Sequence, residues 1–114
     1  MTKRRNNTPA PAAPSHLSDR SRALWAELAP RKARSLGRQV LLQIGLEQLD
    51  AADAARAVLN EHGTTFTTES TGAVHERPEC RIEREARRTF LRIWRDLNLD
   101  WDQAVDGRYQ SGDL

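Results

Sequence analysis

The strongest pattern in this sequence is an apolar repeat that lies near its C-terminal end. Apolar residues return there at steps of four, four, three and four positions: Ile82, Ala86, Phe90, Ile93 and Leu97. Because an α-helix completes a turn in 3.6 residues, this spacing puts them on one side of a helix. Pro78 suits the first turn of such a helix, and Asn98 suits its end. The repeat therefore predicts a helix over residues 78–98.

A second helix is predicted near the N-terminal end. Ser18 is a favourable N-cap residue, and the apolar residues that follow it at helical spacing are Leu24, Trp25 and Leu28. Asp19 stands in the first turn, where the helix dipole favours an acid. Pro30 cannot continue the hydrogen-bond ladder, so we expect this helix to span residues 19–29.

Between these two helices the sequence predicts a long one. Apolar residues recur at helical steps over residues 35–61: Leu36, Val40, Ile44, Ala52, Ala55, Val58 and Leu59. An unbroken helix of this length would measure on the order of 40 Å, although Gly37 and Gly45 weaken it. Gly63 suits the left-handed conformation that often follows a helix.

A short β-hairpin is predicted between the second and third helices. Residues 64–68 are rich in β-branched side chains around Phe66, and Ala73-Val74-His75 provides the second strand. Residues 69–72 between them have the composition of a turn. An isolated hairpin is marginally stable in water, so it should pack on a helix or pair with a neighbouring subunit.

These elements predict a mainly α fold of three helices, one of them long, with the hairpin between the second and third. A chain of 114 residues suits a single domain. We expect a disordered, basic, Pro/Ala-rich arm at residues 1–15, a helical domain at residues 16–100 and an irregular tail at residues 101–114. A helical chain this short often gains stability by oligomerising.

Charge is distributed unevenly along the chain. Residues 1–38 carry nine Lys or Arg against two acids, whereas residues 39–76 carry one Arg against six acids. Arg outnumbers Lys sixteen to two. Arginine makes two-pronged contacts to phosphate and to carboxylate alike, so the surplus fits DNA backbone binding and inter-subunit ion pairs equally well. A genomic G+C bias gives the same surplus.

The sequence lacks the patterns on which catalysis depends. It has no Gly-rich phosphate loop, no paired-cysteine spacing and no His-Glu-x-x-His run. His75 and Cys80 are the one nearby pair of metal-ligand types, and two ligands do not make a tetrahedral site. We therefore predict a protein that is not an enzyme and has no cofactor or metal. The single cysteine and the absence of a run of roughly 18 apolar residues indicate a cytoplasmic protein that does not enter a membrane.

The order of these elements resembles the small subunit family of phage terminases, over roughly residues 14–100. The likeness is strongest in Thr65-Phe66-Thr67-Thr68, Gly72-Ala73-Val74-His75, Pro78, Ile82-Glu83-Arg84-Glu85-Ala86 and Phe90-Leu91-Arg92. The family often has Gly where this sequence has Asn98. The resemblance implies a homo-oligomer, in such proteins a ring, that binds double-stranded viral DNA in the host cytoplasm. It also implies a partner, the terminase large subunit, which holds the ATPase and nuclease of genome packaging.

Two sets of residues are candidates for these roles. The phosphate contacts are predicted at Lys3, Arg4, Arg5, Arg31, Lys32, Arg34 and Arg38. The fold or the oligomer interface is predicted to depend on Trp25, Phe66, Val74, Phe90 and Trp94. The charged residues of the third helix form either a solvated face or a second phosphate-binding surface: Glu83, Arg84, Arg87, Arg88, Arg92 and Arg95.

Two other classes of protein compete with the terminase interpretation. The first is a small helical adaptor or regulator that binds protein through its amphipathic helices, with the arginines in ion pairs and no DNA binding. The second is a helix-turn-helix transcription factor. It ranks last, because the sequence lacks two short helices joined by a tight turn before a recognition helix.

Overall fold

The computed structural model describes residues 11–99. Five elements follow one another: α1 (Asp19–Lys32), α2 (Leu36–His62), β1 (Thr65–Thr67), β2 (Val74–Glu76) and α3 (Pro78–Asp96). The predicted mainly α fold, with a hairpin between the second and third helices, is confirmed. The predicted contacts at Lys3, Arg4 and Arg5 and the predicted tail at residues 101–114 lie outside the described residues.

Helix α1 begins as predicted and ends later. The Ser18 hydroxyl accepts a hydrogen bond from the backbone N–H of Ser21 at 3.1 Å, which caps the first turn. The predicted end at residue 29 is wrong, because the helix continues through Pro30 to Lys32. Pro30 lies in the last turn, where it removes only its own N–H from the ladder. The next bond is retained, since the N–H of Ala33 still donates to the Ala29 carbonyl at 3.2 Å.

Helix α2 has the two ends that its sequence predicts. The Ser35 hydroxyl accepts a hydrogen bond from the N–H of Arg38 at 3.2 Å. At the other end Gly63 has a φ of 86°, a conformation that glycine adopts without steric cost. The Gly63 N–H donates to the Leu59 carbonyl at 2.8 Å and so satisfies one of the last carbonyls of the helix.

Helix α3 starts at Pro78 and ends in a left-handed turn. Asn98 has a φ of 57°, and its N–H donates to the Arg95 carbonyl at 2.9 Å. Leu97 and Leu99, on either side of Asn98, are both buried. The turn at Asn98 therefore returns the chain to the core directly after the helix.

Helix α2 packs between the other two helices and runs antiparallel to both. Ser21 near the start of α1 contacts Asp50, and Glu83 near the start of α3 contacts Arg56. Helices α2 and α3 approach each other closely at Gly45, where an added Cβ would lie 3.0 Å from Cγ2 of Ile93. The main core consists of Leu17, Trp25, Leu28, Ala29, Ala33, Leu42, Leu46, Leu49, Ile93, Leu97 and Leu99.

The first half of α2 is apolar on two sides, and the described residues bury only one of them. Its buried residues are Leu42, Leu46 and Leu49. Leu36, Val40 and Ile44, which belong to the predicted apolar repeat, are exposed by 76%, 48% and 40%. A helix that is apolar all round usually lies inside a protein or an assembly. This stretch therefore presents an apolar surface that the described chain leaves uncovered.

The hairpin projects from the junction of α2 and α3. Thr65 pairs with Glu76, Phe66 with His75 and Thr67 with Val74, in antiparallel register. All six residues are exposed, and the Phe66 ring stacks on the His75 ring with centroids 5.2 Å apart.

None of the three described helices carries an apolar stretch of the length that a bilayer crossing needs.

Candidate nucleic-acid interface

The outward side of α3 carries a row of arginines. Its members, called here the arginine face, are Arg81, Arg84, Arg88, Arg92 and Arg95. They follow at steps of three, four, four and three, so at about 100° per residue they fall within an arc of about 80°. All five are exposed, and they lie opposite the buried residues Ala86, Ile93 and Leu97. The predicted set for this helix omitted Arg81.

The guanidinium groups of the arginine face have no partner among residues 11–99. None of the five makes a hydrogen bond or ion pair with a described side chain or backbone group. Two acids, Glu85 and Asp96, stand beside the face without pairing with it. The row is about 21 Å long at 1.5 Å per residue, a length over which duplex DNA presents about twelve phosphates.

Two other arginines of the same region, Arg56 and Arg87, are exposed but are bound by one carboxylate. Glu83 accepts hydrogen bonds from Arg56 Nη2 at 2.7 Å and Nε at 3.1 Å, and from Arg87 Nε at 3.1 Å. The hydrogen bonds from Arg56, with the help of Arg87, hold the pKa of Glu83 below its ordinary value against the opposing effect of burial. The prediction that Glu83 lies on an outward face is wrong, because its side chain faces α2 and is buried.

This carboxylate determines which way the arginine face points. Arg56 belongs to α2 and binds Glu83 through two N–H groups, a geometry that fixes orientation as well as distance. Together with the close approach at Gly45, it sets the rotation of α3 about its own axis. The side of α3 opposite Glu83 therefore points away from α2.

The predicted basic cluster at the α1–α2 junction is arranged differently. Arg31 pairs with Glu27 at 3.6 Å within α1. Arg38 is half-buried, and its guanidinium donates to the backbone carbonyls of Lys32 and Leu97. The side chain of Arg34 is exposed and makes no hydrogen bond or ion pair with residues 11–99. At the junction, Arg38 therefore binds the C-terminal end of α3. The four basic residues of the junction do not form one surface.

Helix α1 is anchored to α2 by a serine–aspartate cluster. Asp50 accepts hydrogen bonds from the Ser18 N–H at 2.8 Å, the Ser18 hydroxyl at 2.7 Å and the Ser21 hydroxyl at 2.6 Å. Burial raises the pKa of Asp50, but these hydrogen bonds outweigh it, and the pKa lies below its ordinary value. One turn earlier, His16 contacts Glu47 at 2.7 Å. These contacts explain why α1 packs along one edge of α2.

The aromatic residues predicted for the fold or interface lie in three different settings. Trp25 is buried, and its indole N–H donates to the Pro11 carbonyl at 2.8 Å, within the described part of the predicted arm. Phe90 and Trp94 are half-buried at the edge of the core, with ring centroids 5.4 Å apart. The exposed members of the set are Phe66 and Val74.

The described residues show no arrangement that points to a metal site. No group of three or more His, Cys, Asp or Glu side chains within residues 11–99 is placed to hold a metal ion. The Cys80 thiol donates to the Thr64 carbonyl at 3.6 Å, and His75 stacks on Phe66. The arginine face remains a candidate site, because its guanidinium groups have no partner among the described residues.

Comparison of the sequence and the fold with protein-family models, with curated proteins and with solved structures gives no match.

Proposed function

We propose that this protein binds double-stranded DNA through the arginine face of α3, as the small subunit of a phage terminase. One observation carries the DNA-binding part: five exposed arginines share one side of a helix and have no acidic partner among the described residues. Phosphate oxygens can supply the acceptors that these guanidinium groups lack, because arginine binds phosphate through paired N–H groups.

The predicted contact is with the DNA backbone and not with the bases. A row of like charges on one helix neutralises phosphates, and each neutralised phosphate releases counterions into the solvent. Five such contacts per subunit would give a salt slope of roughly −4 to −5 in log K against log salt concentration. Such a protein binds many sequences with similar affinity, so sequence preference must come from elsewhere in the assembly.

The terminase role rests on the resemblance in the order and spacing of the elements. In this role the chain forms a homo-oligomer, with a ring as the expected form, and recruits and regulates the large ATPase-nuclease subunit. A homo-oligomer multiplies a modest contact per subunit into a strong one, because the later contacts become intramolecular. The role predicts that the protein, together with duplex DNA, raises the ATPase rate of a large subunit from the same genome. A rate that stays unchanged would contradict the role.

A single charge reversal tests the arginine face. Arg88 lies at the centre of the face, and Arg88→Glu is expected to weaken binding of a short labelled duplex by tenfold or more at low salt. The matched control is Arg22→Glu, because Arg22 is also exposed on a helix but already pairs with Asp19 at 2.6 Å. The control should change the affinity by less than about threefold. Equal effects of the two reversals would contradict a specific role for the face.

A protein-binding adaptor is the second candidate, and one observation favours it. Exposed apolar side chains cluster on the first half of α2: Leu36, Val40, Leu41 and Ile44. Contiguous exposed apolar residues mark sites of protein association. An adaptor without DNA binding would show no salt-dependent affinity for duplex DNA, so the titration described above separates the two candidates.

A further inference from the structure

The exposed side of α2 forms an apolar ridge with acidic residues and no basic ones. The ridge consists of Leu36, Val40 and Ile44, and the same side of the helix continues through Ala51, Ala54 and Val58. These positions follow at helical steps of three, four or seven residues. The charged residues that share this side are Glu47 and Glu61. The ridge is therefore a narrow apolar strip with a negative charge along its length.

The opposite side of the three-helix layer contains an apolar cleft. Its walls are Leu24 of α1, Leu49 of α2, and Phe90, Leu91 and Trp94 of α3, with Arg20 at its edge. The cleft has a volume of about 380 Å³. This volume is within the range of about 300–1,000 Å³ that holds whole small molecules, so several aliphatic side chains can enter it. Leu91, at the rim, is 51% exposed.

The ridge and the cleft face in opposite directions. Val40 of the ridge and Leu49 of the cleft are nine residues apart on the same helix, which at about 100° per residue is half a turn. A contact between the two surfaces thus cannot form within one chain. If it forms between two chains, one chain keeps a free cleft and the other keeps a free ridge.

We propose that the ridge of one copy of this chain docks in the cleft of a second copy. Both surfaces are apolar, residues 11–99 cover neither of them, and one contact covers both. The charges agree in sign. Glu47, which also contacts His16 at 2.7 Å, accompanies the ridge, and Arg20, which also pairs with Asp53 at 2.6 Å, borders the cleft. Packing two ridges against each other would leave the cleft empty and would place the acids of both copies in one interface.

This contact is heterologous, because the two copies use different surfaces. Heterologous contacts repeat from copy to copy and produce a closed ring or an open filament, whereas a two-fold contact stops at a dimer. The inference rests on the homo-oligomer of the proposed function and assigns its contact surfaces. The cleft is lined by no arginine of the arginine face, although Leu91 at its rim lies one turn from Arg88 and Arg95 on α3.

The test compares three single variants of the full chain by light scattering without DNA. Val40→Glu disrupts the ridge and Leu91→Glu disrupts the cleft, and both positions are exposed enough to accept a charge without unfolding the subunit. Ala26→Glu is the matched control, since Ala26 is exposed on α1 and belongs to neither surface. Circular dichroism confirms that each variant is folded. We expect wild type and Ala26→Glu to form the same multimer, and the other two variants to be monomers.

Mixing the two disrupted variants decides between a heterologous and a two-fold contact. Val40→Glu keeps an intact cleft and Leu91→Glu keeps an intact ridge, so an equimolar mixture should form a dimer of one copy of each. A monomeric wild type would overturn the proposal. A Leu91→Glu variant of wild-type mass would overturn it too, because the cleft would then take no part. A mixture that stays monomeric would have the same consequence.

DNA binding is measured separately on the same variants, so that the two proposals fail independently. The Val40→Glu monomer should still bind duplex DNA, and the double variant Val40→Glu/Arg88→Glu should not. This pair of results would support DNA binding by the arginine face, independently of how the chain assembles. A wild type that assembles through ridge and cleft but ignores duplex DNA at low salt supports the contact and overturns the DNA-binding role.

Discussion

The α1–α2 junction and the outward side of α3 are both rich in arginine, and they use it in opposite ways. At the junction, Arg31 pairs with Glu27, and Arg38 donates to two backbone carbonyls. On α3, the five residues of the arginine face have no partner among the described residues. The density of basic residues along the chain marks both regions equally. Only the contacts show that one region holds the fold together and the other is open to a ligand.

The comparison teaches that spacing is more informative than charge content. The junction residues fall on the end of one helix, a connecting segment and the start of another, so no common surface follows from their sequence. The α3 arginines recur at helical steps and must share a side. A phosphate backbone is a regular row of charges, and a regular row of cations is the surface that fits it.

The largest expected difference between the two regions is in DNA affinity. Replacing Arg84, Arg88 and Arg92 together by Ala should weaken duplex binding on the order of 100-fold at moderate salt and reduce the salt slope by about 3. Replacing Arg31, Lys32 and Arg34 together removes the same charge from the junction. That variant should lose less than about fivefold, through long-range attraction only. Fluorescence anisotropy at several salt concentrations measures both.

The opposite outcome would reverse the comparison. If the junction triple loses affinity and slope while the α3 triple keeps them, the phosphates bind at the junction, and the arginine face is a solvated surface. Equal losses would mean that the two regions form one continuous binding surface.

The second effect concerns stability, and here the junction should be the more sensitive region. Arg38→Ala removes the hydrogen bonds to the carbonyls of Lys32 and Leu97 and leaves both with one acceptor unsatisfied. We expect the free energy of unfolding to fall by about 1–2 kcal/mol, measured by urea titration. Arg92→Ala, at an exposed and unpartnered position, should change it by less than about 0.5 kcal/mol. A larger loss for Arg92→Ala would mean that the arginine face stabilises the fold.

A smaller effect is expected from the carboxylate that holds Arg56 and Arg87. The pKa of Glu83 is lowered in the folded protein, so its stabilising contribution is present above its unfolded pKa of about 4.3 and is lost as pH falls through the folded value. Glu83→Gln should lower the melting temperature at neutral pH, and the difference from wild type should shrink below about pH 4. Glu85→Gln, at an exposed position of the same helix, is the control. A difference independent of pH would exclude an ionic role for Glu83.

The smallest effect tests the packing that sets the direction of α3. Gly45→Ala places a Cβ 3.0 Å from Ile93, whereas Gly37→Ala meets no atom within 4 Å. Both changes remove the entropic cost of glycine in a helix, worth about 0.5–1 kcal/mol, and only the first adds crowding. We expect Gly45→Ala to be the less stable of the two by about 1 kcal/mol in urea titration. Equal stabilities would show that α2 and α3 separate easily at this point.

Much of the fold could be predicted because local signals mark its elements. Ser18, Ser35, Gly63 and Pro78 each stand at the helix end that their chemistry favours, and the first hairpin strand lies within the β-branched stretch at residues 64–68. The end of α1 was missed because a proline in the last turn removes a single hydrogen bond, which packing of the helix offsets. Local chemistry alone does not include that packing.

The buried side of α2 could not be predicted for a different reason. Its first half offers two apolar sides, one through Leu42, Leu46 and Leu49 and one through Leu36, Val40 and Ile44. Both satisfy helical spacing, so periodicity cannot choose between them. The choice depends on where α1 and α3 pack, a long-range property. The partnership of Arg56 with Glu83, 27 positions along the chain, was hidden for the same reason.

The left-handed turn at Asn98 limits the residue types that can occupy this position. Glycine adopts a φ near 57° freely, and asparagine and aspartate tolerate it, whereas in β-branched residues this φ causes steric strain. A search pattern for proteins of this shape should therefore admit Gly, Asn or Asp there, between two apolar residues that enter the core. Asn98 of this chain then fits the pattern, because it adopts the same turn that glycine would form.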